Sequence, residues 1–160
     1  MKKQLLLIVI AAFIFIFTSA QLETPADSRI GYTAPGFSVE NDGSKVELQK
    51  LRGAFVLVAF WSSTDAESRI ATIAYDRLAR NHAEMEFVAV NFDPSAAVYD
   101  EIVRIDNLAA ESQFRDAEGS ASSIYKAYRL EDGYCSMLIS PDGKIVAVNP
   151  SAETIESYIG

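Results

Sequence analysis

The sequence has one cysteine, Cys135, and one histidine, His82, among its 160 residues. A single cysteine cannot close an internal disulfide, so no disulfide framework supports the fold and a self-contained dithiol cycle is excluded. His82 lies beside Asn81 just past a helix end, where a solvated or helix-terminus role suits it, and no Ser/His/Asp triad assembles around it. Positive charge is also scarce: 14 Lys and Arg stand against 22 Asp and Glu, a net charge of −8. Without residues 1–20, which hold two lysines and no acids, the balance is 12 against 22, or −10. A domain this acidic repels nucleic acid and anionic membrane surfaces, so neither is expected as a partner. There is no internal repeat, no low-complexity tract and no sign of a second domain. No cofactor is implied, and no set of acids has the fixed ligand spacing of a metal site.

Long apolar runs are limited to one, at the N-terminus. Lys2 and Lys3 precede an uninterrupted apolar stretch from Leu5 to Phe17, and Thr18-Ser19-Ala20 offers small residues for cleavage before Gln21. Thirteen residues at about 1.5 Å each make roughly 20 Å of helix, short of the roughly 30 Å hydrocarbon core. Residues 1–20 therefore read as a secretory signal, with an uncleaved inner-membrane anchor over residues 4–20 as the alternative. No cysteine follows the run, so a lipid-attachment site is absent. The expected destination is the periplasm, with membrane contact only through this segment if it stays uncleaved. Residues 21–29 are polar and aperiodic and read as a linker, leaving residues 30–160 as one domain.

Within that domain, Phe37–Glu40 and Val46–Leu48 flank the turn signal Asn41-Asp42-Gly43 and predict a hairpin. Phe55–Trp61 is apolar at every position, as in a central strand covered on both faces. Thr64-Asp65-Ala66-Glu67 fits a capping box, and Ile70, Ile73, Ala74 and Leu78 predict one apolar face of a helix ending near Asn81. Met85–Phe92 is the next strand, closed by Asp93-Pro94. Val98, Ile102 and Ile105 mark a second helix over residues 96–106, Gln113-Phe114 a short strand, and Ala121, Ile124, Tyr125 and Tyr128 a third helical face. Ser136–Ile139 and Ile145–Val148 form a hairpin about Pro141-Asp142-Gly143, and Ser151 caps a last helix bearing Ile155, Tyr158 and Ile159. Alternating strands and helices closed by a hairpin predict a small α/β domain with a mixed sheet.

Ala34-Pro35-x-Phe37, the Asn-Asp-Gly turn with Val46-x-Leu48, and Leu51-Arg52-Gly53 leading into Phe55–Trp61 occur in that order. Val88–Asn91 and Met137–Ile145 follow. On these residues, which span nearly the whole mature chain, the sequence resembles the secreted thioredoxin-like family. The similarity is to its TlpA/ResA branch and its alkyl hydroperoxide reductase/thiol-specific antioxidant branch. The resemblance implies a three-layer sandwich, a mixed central sheet with helices on both faces and an N-terminal β-hairpin. It also implies a redox site at the start of the helix after Trp61, where the pattern Phe-Trp-x-x-x-Cys-x-x-Cys-Arg carries two cysteines. There the helix N-terminus lowers the pKa of the first thiol, and the second resolves the mixed disulfide. In this sequence Asp65 and Ser68 occupy those places. The cis-proline that the family sets opposite the dithiol falls on Tyr134, for which an ordinary trans bond is expected.

Both departures predict a redox-silent pseudoenzyme: a binding or accessory module of the bacterial cell envelope, engaging an unidentified periplasmic protein. The contact surface would be the old substrate groove, formed by Trp61, Ser63, Thr64, Asp65, Tyr134 and Cys135. The alternative is a thiol–disulfide oxidoreductase or peroxidase-related antioxidant protein working through Cys135 alone; a purely structural role is the third reading. Each site residue also has a plainer role. Asp65 and Glu67 suit the helix N-terminus, with a weak cation site shared with Glu131 and Asp132 as the sharper option. Cys135 suits a buried strand position, and Asp65 nearby is expected to raise its pKa. Ser62, Ser63 and Ser68 suit caps and turns. Trp61, Tyr128 and Tyr134 can each line the groove or fill the core; the core is favoured for Trp61, and Tyr134 suits both equally.

Overall fold

The computed structural model describes residues 27, 29–41 and 43–160. The expected export segment and most of the expected linker lie outside the described residues, as does Asp42 of the hairpin turn. Two short strands, β1 (Ser38–Asn41) and β2 (Ser44–Glu47), pair antiparallel as a separate sheet. Gly43 takes φ 81° between them, a left-handed conformation that glycine adopts without a Cβ penalty.

The main sheet has five strands in the order β5-β4-β3-β6-β7. They are β3 (Phe55–Trp61), β4 (Met85–Asn91), β5 (Gln113–Arg115), β6 (Ser136–Ile139) and β7 (Ile145–Val148). β3 runs parallel to β4 and antiparallel to β6; β4 and β5 are parallel, β6 and β7 antiparallel. The continuous apolar run of β3 is thus explained, since the strand is central and both of its faces are covered. Val56, Val58 and Phe60 point into one core layer with Phe37, Val39, Ile124 and Tyr128. Leu57, Ala59 and Trp61 point into the other with Tyr75, Tyr99 and Ile155. The first layer lies beneath the hairpin and α3 (Ser123–Ala127). The second lies beneath α1 (Ala66–Ala79), α2 (Ala96–Ile105) and α4 (Ala152–Ile159). The architecture is the expected α/β sandwich with a mixed sheet.

The helix faces depart in part from expectation: Ile73 and Leu78 of α1 pack against the second layer as predicted, but Ile70 and Ala74 do not. On α1 the buried residues are Ser68, Thr72, Tyr75 and Asp76, whereas Ile70 is 67% exposed and Ala74 is also exposed. The reason is a polar anchor. The Asp76 carboxylate, 2% exposed, accepts from Arg80 at 2.9 Å and from the Ala109 N–H at 2.8 Å, which turns its side of the helix inward. On α2 Tyr99 is buried and the expected Ile102 packs against the same layer, whereas Val98 and Ile105 face solvent. On the third face Ile124 and Tyr128 are buried and Ala121 is exposed. α1 ends at Ala79, two residues before the expected stop, within the ordinary spread of helix ends. Ser151 caps α4 as expected, accepting from the Thr154 N–H at 3.1 Å.

The chain before β1 is part of the fold. The Gly31 N–H donates to the Ile145 carbonyl, the Ile145 N–H to Tyr32 and the Ala34 N–H to Gly143, at 2.8–3.0 Å. With a bridge from Thr33 to Lys144, this stretch covers the outer edge of β7, an edge that would otherwise present unpaired backbone groups.

Candidate functional site

The C-terminal ends of β3 and β4, the start of α1 and the approach to β6 meet at one end of the sheet. Asp65, in extended backbone at φ −107°, is the N-cap of α1, and its carboxylate accepts from the Ser68 N–H at 2.8 Å. Ser68 Oγ donates back to the Asp65 carbonyl at 3.2 Å. The cap therefore sits one residue later than the expected box at Thr64. Thr64 Oγ1 is instead 2.9 Å from Ser62 Oγ, within the preceding loop. The two positions where the resembled family carries cysteines are thus bonded to one another.

A second polar cluster holds the loop between β3 and α1. Asp93, 2% exposed, accepts from Ser62 Oγ at 2.6 Å, from the Ser63 N–H at 3.0 Å and from Asn91 Nδ2 at 3.0 Å. Asn91 Oδ1 in turn accepts from the Asp93 N–H at 2.8 Å. In the sequence Asp93 reads as a strand terminator only. Its one signal was the even spacing Asn91–Asp93, and nothing in the sequence placed Ser62 opposite it.

Tyr134 stacks on Phe92, with ring centroids 6.1 Å apart and planes 21° from parallel, and meets Tyr125 edge-on at 6.2 Å. It is half-buried, and burial raises its phenol pKa. No cis peptide bond occurs among the described residues, so the bond before Tyr134 is trans. Cys135 follows, 6% exposed, and its carbonyl accepts from the Phe60 N–H, which ties this segment to β3.

A cleft of about 430 Å³ lies along α1 and this segment, lined by Asp65, Glu67, Ser68, Asp132, Tyr134 and Cys135 among others. Three of the six expected groove residues, Asp65, Tyr134 and Cys135, therefore share one surface. The other three do not line it. Trp61 is fully buried and packs on Tyr99 at 6.3 Å, because the alternation of β3 turns it into the layer under α1 and α2. The Ser63 N–H is held by Asp93 rather than facing the cleft, and Thr64 is tied to Ser62. Tyr128 is core, with its hydroxyl donating to the Pro35 carbonyl at 2.6 Å. Of the acids weighed for a cation, Asp65, Glu67 and Asp132 line the cleft and Glu131 does not. Among the described residues no three His, Cys, Asp or Glu side chains are grouped so as to hold a metal. His82 lies beyond the far end of α1, its Nδ1 2.9 Å from Glu84.

Cys135 also lines a second cleft, of about 300 Å³, with Asp27, Arg29, Arg129 and Asp132. The Arg29 guanidinium donates to Cys135 Sγ at 3.4 Å and to the Tyr128 carbonyl at 3.3 Å, and pairs with both oxygens of Asp27. Burial pushes the Cys135 thiol above its ordinary value, and the nearby Arg29 charge only partly opposes this. The direction is the expected one but the cause is not: the acid acting on the thiol is Asp27, with Asp65 playing no part. In the sequence Arg29 belongs to the linker, and nothing near it in the chain shows the contact.

The fold and this site define a thioredoxin-like protein, and the chain belongs to the thioredoxin-like superfamily. It is similar to the thiol-disulfide oxidoreductase ResA of Oceanobacillus iheyensis, with 27% identity over 99% of this chain and 84% of that protein. Among solved structures, a thioredoxin-like protein from Parabacteroides distasonis superposes with a TM-score of 0.70 and 27% identity. That match covers 81% of this chain and 93% of the other. A thiol-disulfide oxidoreductase from Bacteroides fragilis does so with a TM-score of 0.68 and 24% identity, over 79% and 96% of the two chains. No family model matches the sequence. The names of these relatives favour the oxidoreductase alternative over the redox-silent reading.

Proposed function

We propose that this is an exported thioredoxin-fold protein that keeps the partner groove of the thiol–disulfide oxidoreductases it resembles and binds a protein there without a two-cysteine cycle. The mutual hydrogen bonding of Asp65 and Ser68 carries this reading. Neither side chain has a thiol, and Asp65 occupies the Ser68 N–H that a thiolate would use at a helix start. The cleft along α1 and Tyr134 is the contact surface, and the N-terminal apolar run supports export.

A second reading, single-thiol exchange through Cys135, is favoured by the kinship with named oxidoreductases and by the place of Cys135 on both clefts. In that reaction the Cys135 thiolate attacks one sulfur of a partner disulfide. The S–S bond breaks, and the released sulfur leaves as a thiolate that takes up a proton. One thiol of a second, dithiol partner then attacks the substrate sulfur of the mixed disulfide and displaces Cys135 as a thiolate. The partner's other thiol displaces the substrate sulfur, which leaves as a thiol, and the partner is left as a disulfide. The test is turnover of a disulfide substrate with a dithiol reductant, by the mature protein and by Cys135→Ser. Equal, background turnover in both supports the binding reading; turnover lost with the serine establishes exchange through Cys135.

A further inference from the structure

Cys135 is screened by a segment from the far end of the chain. Asp27 and residues 29–33 lie across the 300 Å³ cleft and then along β7, and the Arg29 guanidinium bridges from that segment to both Sγ and the Tyr128 carbonyl. Arg29 is itself aimed by Asp27, whose two carboxylate oxygens accept from Nε and Nη2 at 2.9 and 2.7 Å. The segment lies shallow on the surface. Ile30 is 41% exposed and Tyr32 70% exposed, so little apolar burial holds it beyond the edge pairing at Gly31, Tyr32 and Ala34. Elements with few buried contacts open locally at far lower cost than the whole domain. The opposite wall of the cleft carries Arg129, at φ 55°, and Asp132.

We propose that Asp27 and residues 29–33 form a strap over Cys135 with Arg29 as its latch, so that docking of the strap sets access to the thiol. The device is independent of whether the thiol turns over a substrate. It couples the domain's one thiol to the segment that joins the domain to the N-terminal apolar run. A partner approaching Cys135 from this side must displace Arg29, and tension or binding on the preceding segment would uncover the sulfur.

The rate of Cys135 alkylation by a small maleimide tests this, measured against pH on the folded full chain and on Arg29→Ala and Asp27→Ala. The high-pH plateau reports access to the thiolate, and the midpoint reports its pKa. Two latch hydrogen bonds and an aiming ion pair place the expected rise of the plateau at about tenfold in Arg29→Ala. A smaller rise is expected in Asp27→Ala, which keeps the arginine but frees it. Plateaus equal to wild type, with only the midpoint moved, would mean that Arg29 acts as a charge and would overturn the strap. Wild-type alkylation in denaturant gives the unscreened rate. A variant that matches that rate without denaturant has lost its fold, in which case Asp27→Ala, which removes no buried group, decides the question.

Discussion

Replacing Asp93 with alanine removes the acceptor shared by Ser62 Oγ, the Ser63 N–H and Asn91 Nδ2. Ser62 and Asn91 are 5% and 0% exposed, so water does not readily replace the carboxylate. A buried donor left unpaired costs about 1–3 kcal/mol. Ser62 Oγ can still turn to Thr64 Oγ1, 2.9 Å away, which relieves part of one loss. The expected destabilisation is about 3–4 kcal/mol, a large share of the roughly 5–15 kcal/mol that holds a domain of this size. Urea unfolding reads it directly: with a slope of roughly 2 kcal/mol per molar, the midpoint falls by about 1.5–2 M at unchanged slope. Asp93→Asn keeps one acceptor oxygen but turns its amide toward the donor of Asn91, so its midpoint should fall between the two. A loss under about 1 kcal/mol in Asp93→Ala would show that the loop between β3 and α1 does not depend on this carboxylate.

Asp27 is held down to about 2 from 3.8, chiefly by its hydrogen bonds to Arg29. Its folded pKa is depressed, so its contribution is complete above about pH 4 and is lost as pH falls toward about 2. The stability gap between wild type and Asp27→Asn should close across that window. Because the side chain is 30% exposed, the gap should stay below about 1 kcal/mol; a gap unchanged by acid would contradict the assignment. Asp65→Ala should cost about 1 kcal/mol in urea unfolding through loss of the α1 cap. It should leave the thiolate titration of Cys135, followed by ultraviolet absorbance, where it was, since burial and Arg29 rather than Asp65 set that thiol. A downward shift in Asp65→Ala would restore Asp65 as a neighbour of the sulfur.

The strands were readable because their signal is local. An unbroken apolar run such as Phe55–Trp61 has no exposed face to offer, and the turn at Asn41-Asp42-Gly43 needs only glycine's freedom at Gly43. The helix faces were readable only in part: Ile73, Leu78 and Ile102 pack on the core as their spacing predicts, whereas Ile70, Val98 and Ile105 do not. Ile70 and Val98 are as apolar as their buried neighbours, yet the helices turn by what their polar residues find. Asp76 finds Arg80 and the Ala109 N–H, and Arg69 finds Asp106 at 2.6 Å. Those partners lie up to 37 residues away, beyond the reach of any periodicity. For the same reason the sequence shows Asp93 only as a strand terminator and Arg29 only as linker.

At the site, the substitutions were legible and their consequence was not. Two missing cysteines at positions 65 and 68 say that a dithiol is gone, but they leave open a helix N-terminus able to stabilise a thiolate brought from elsewhere. The geometry closes that route. The Ser68 N–H is committed to Asp65 at 2.8 Å, Ser68 Oγ to the Asp65 carbonyl, and the Asp65 carboxylate adds a negative charge at that helix end. A thiolate approaching this end would meet the Asp65 charge, with the Ser68 N–H already taken. Activation of sulfur in this molecule must therefore come from the other side of Cys135, where Arg29 donates to Sγ at 3.4 Å. Whatever reactivity the thiol has is tied to a residue that the strap carries.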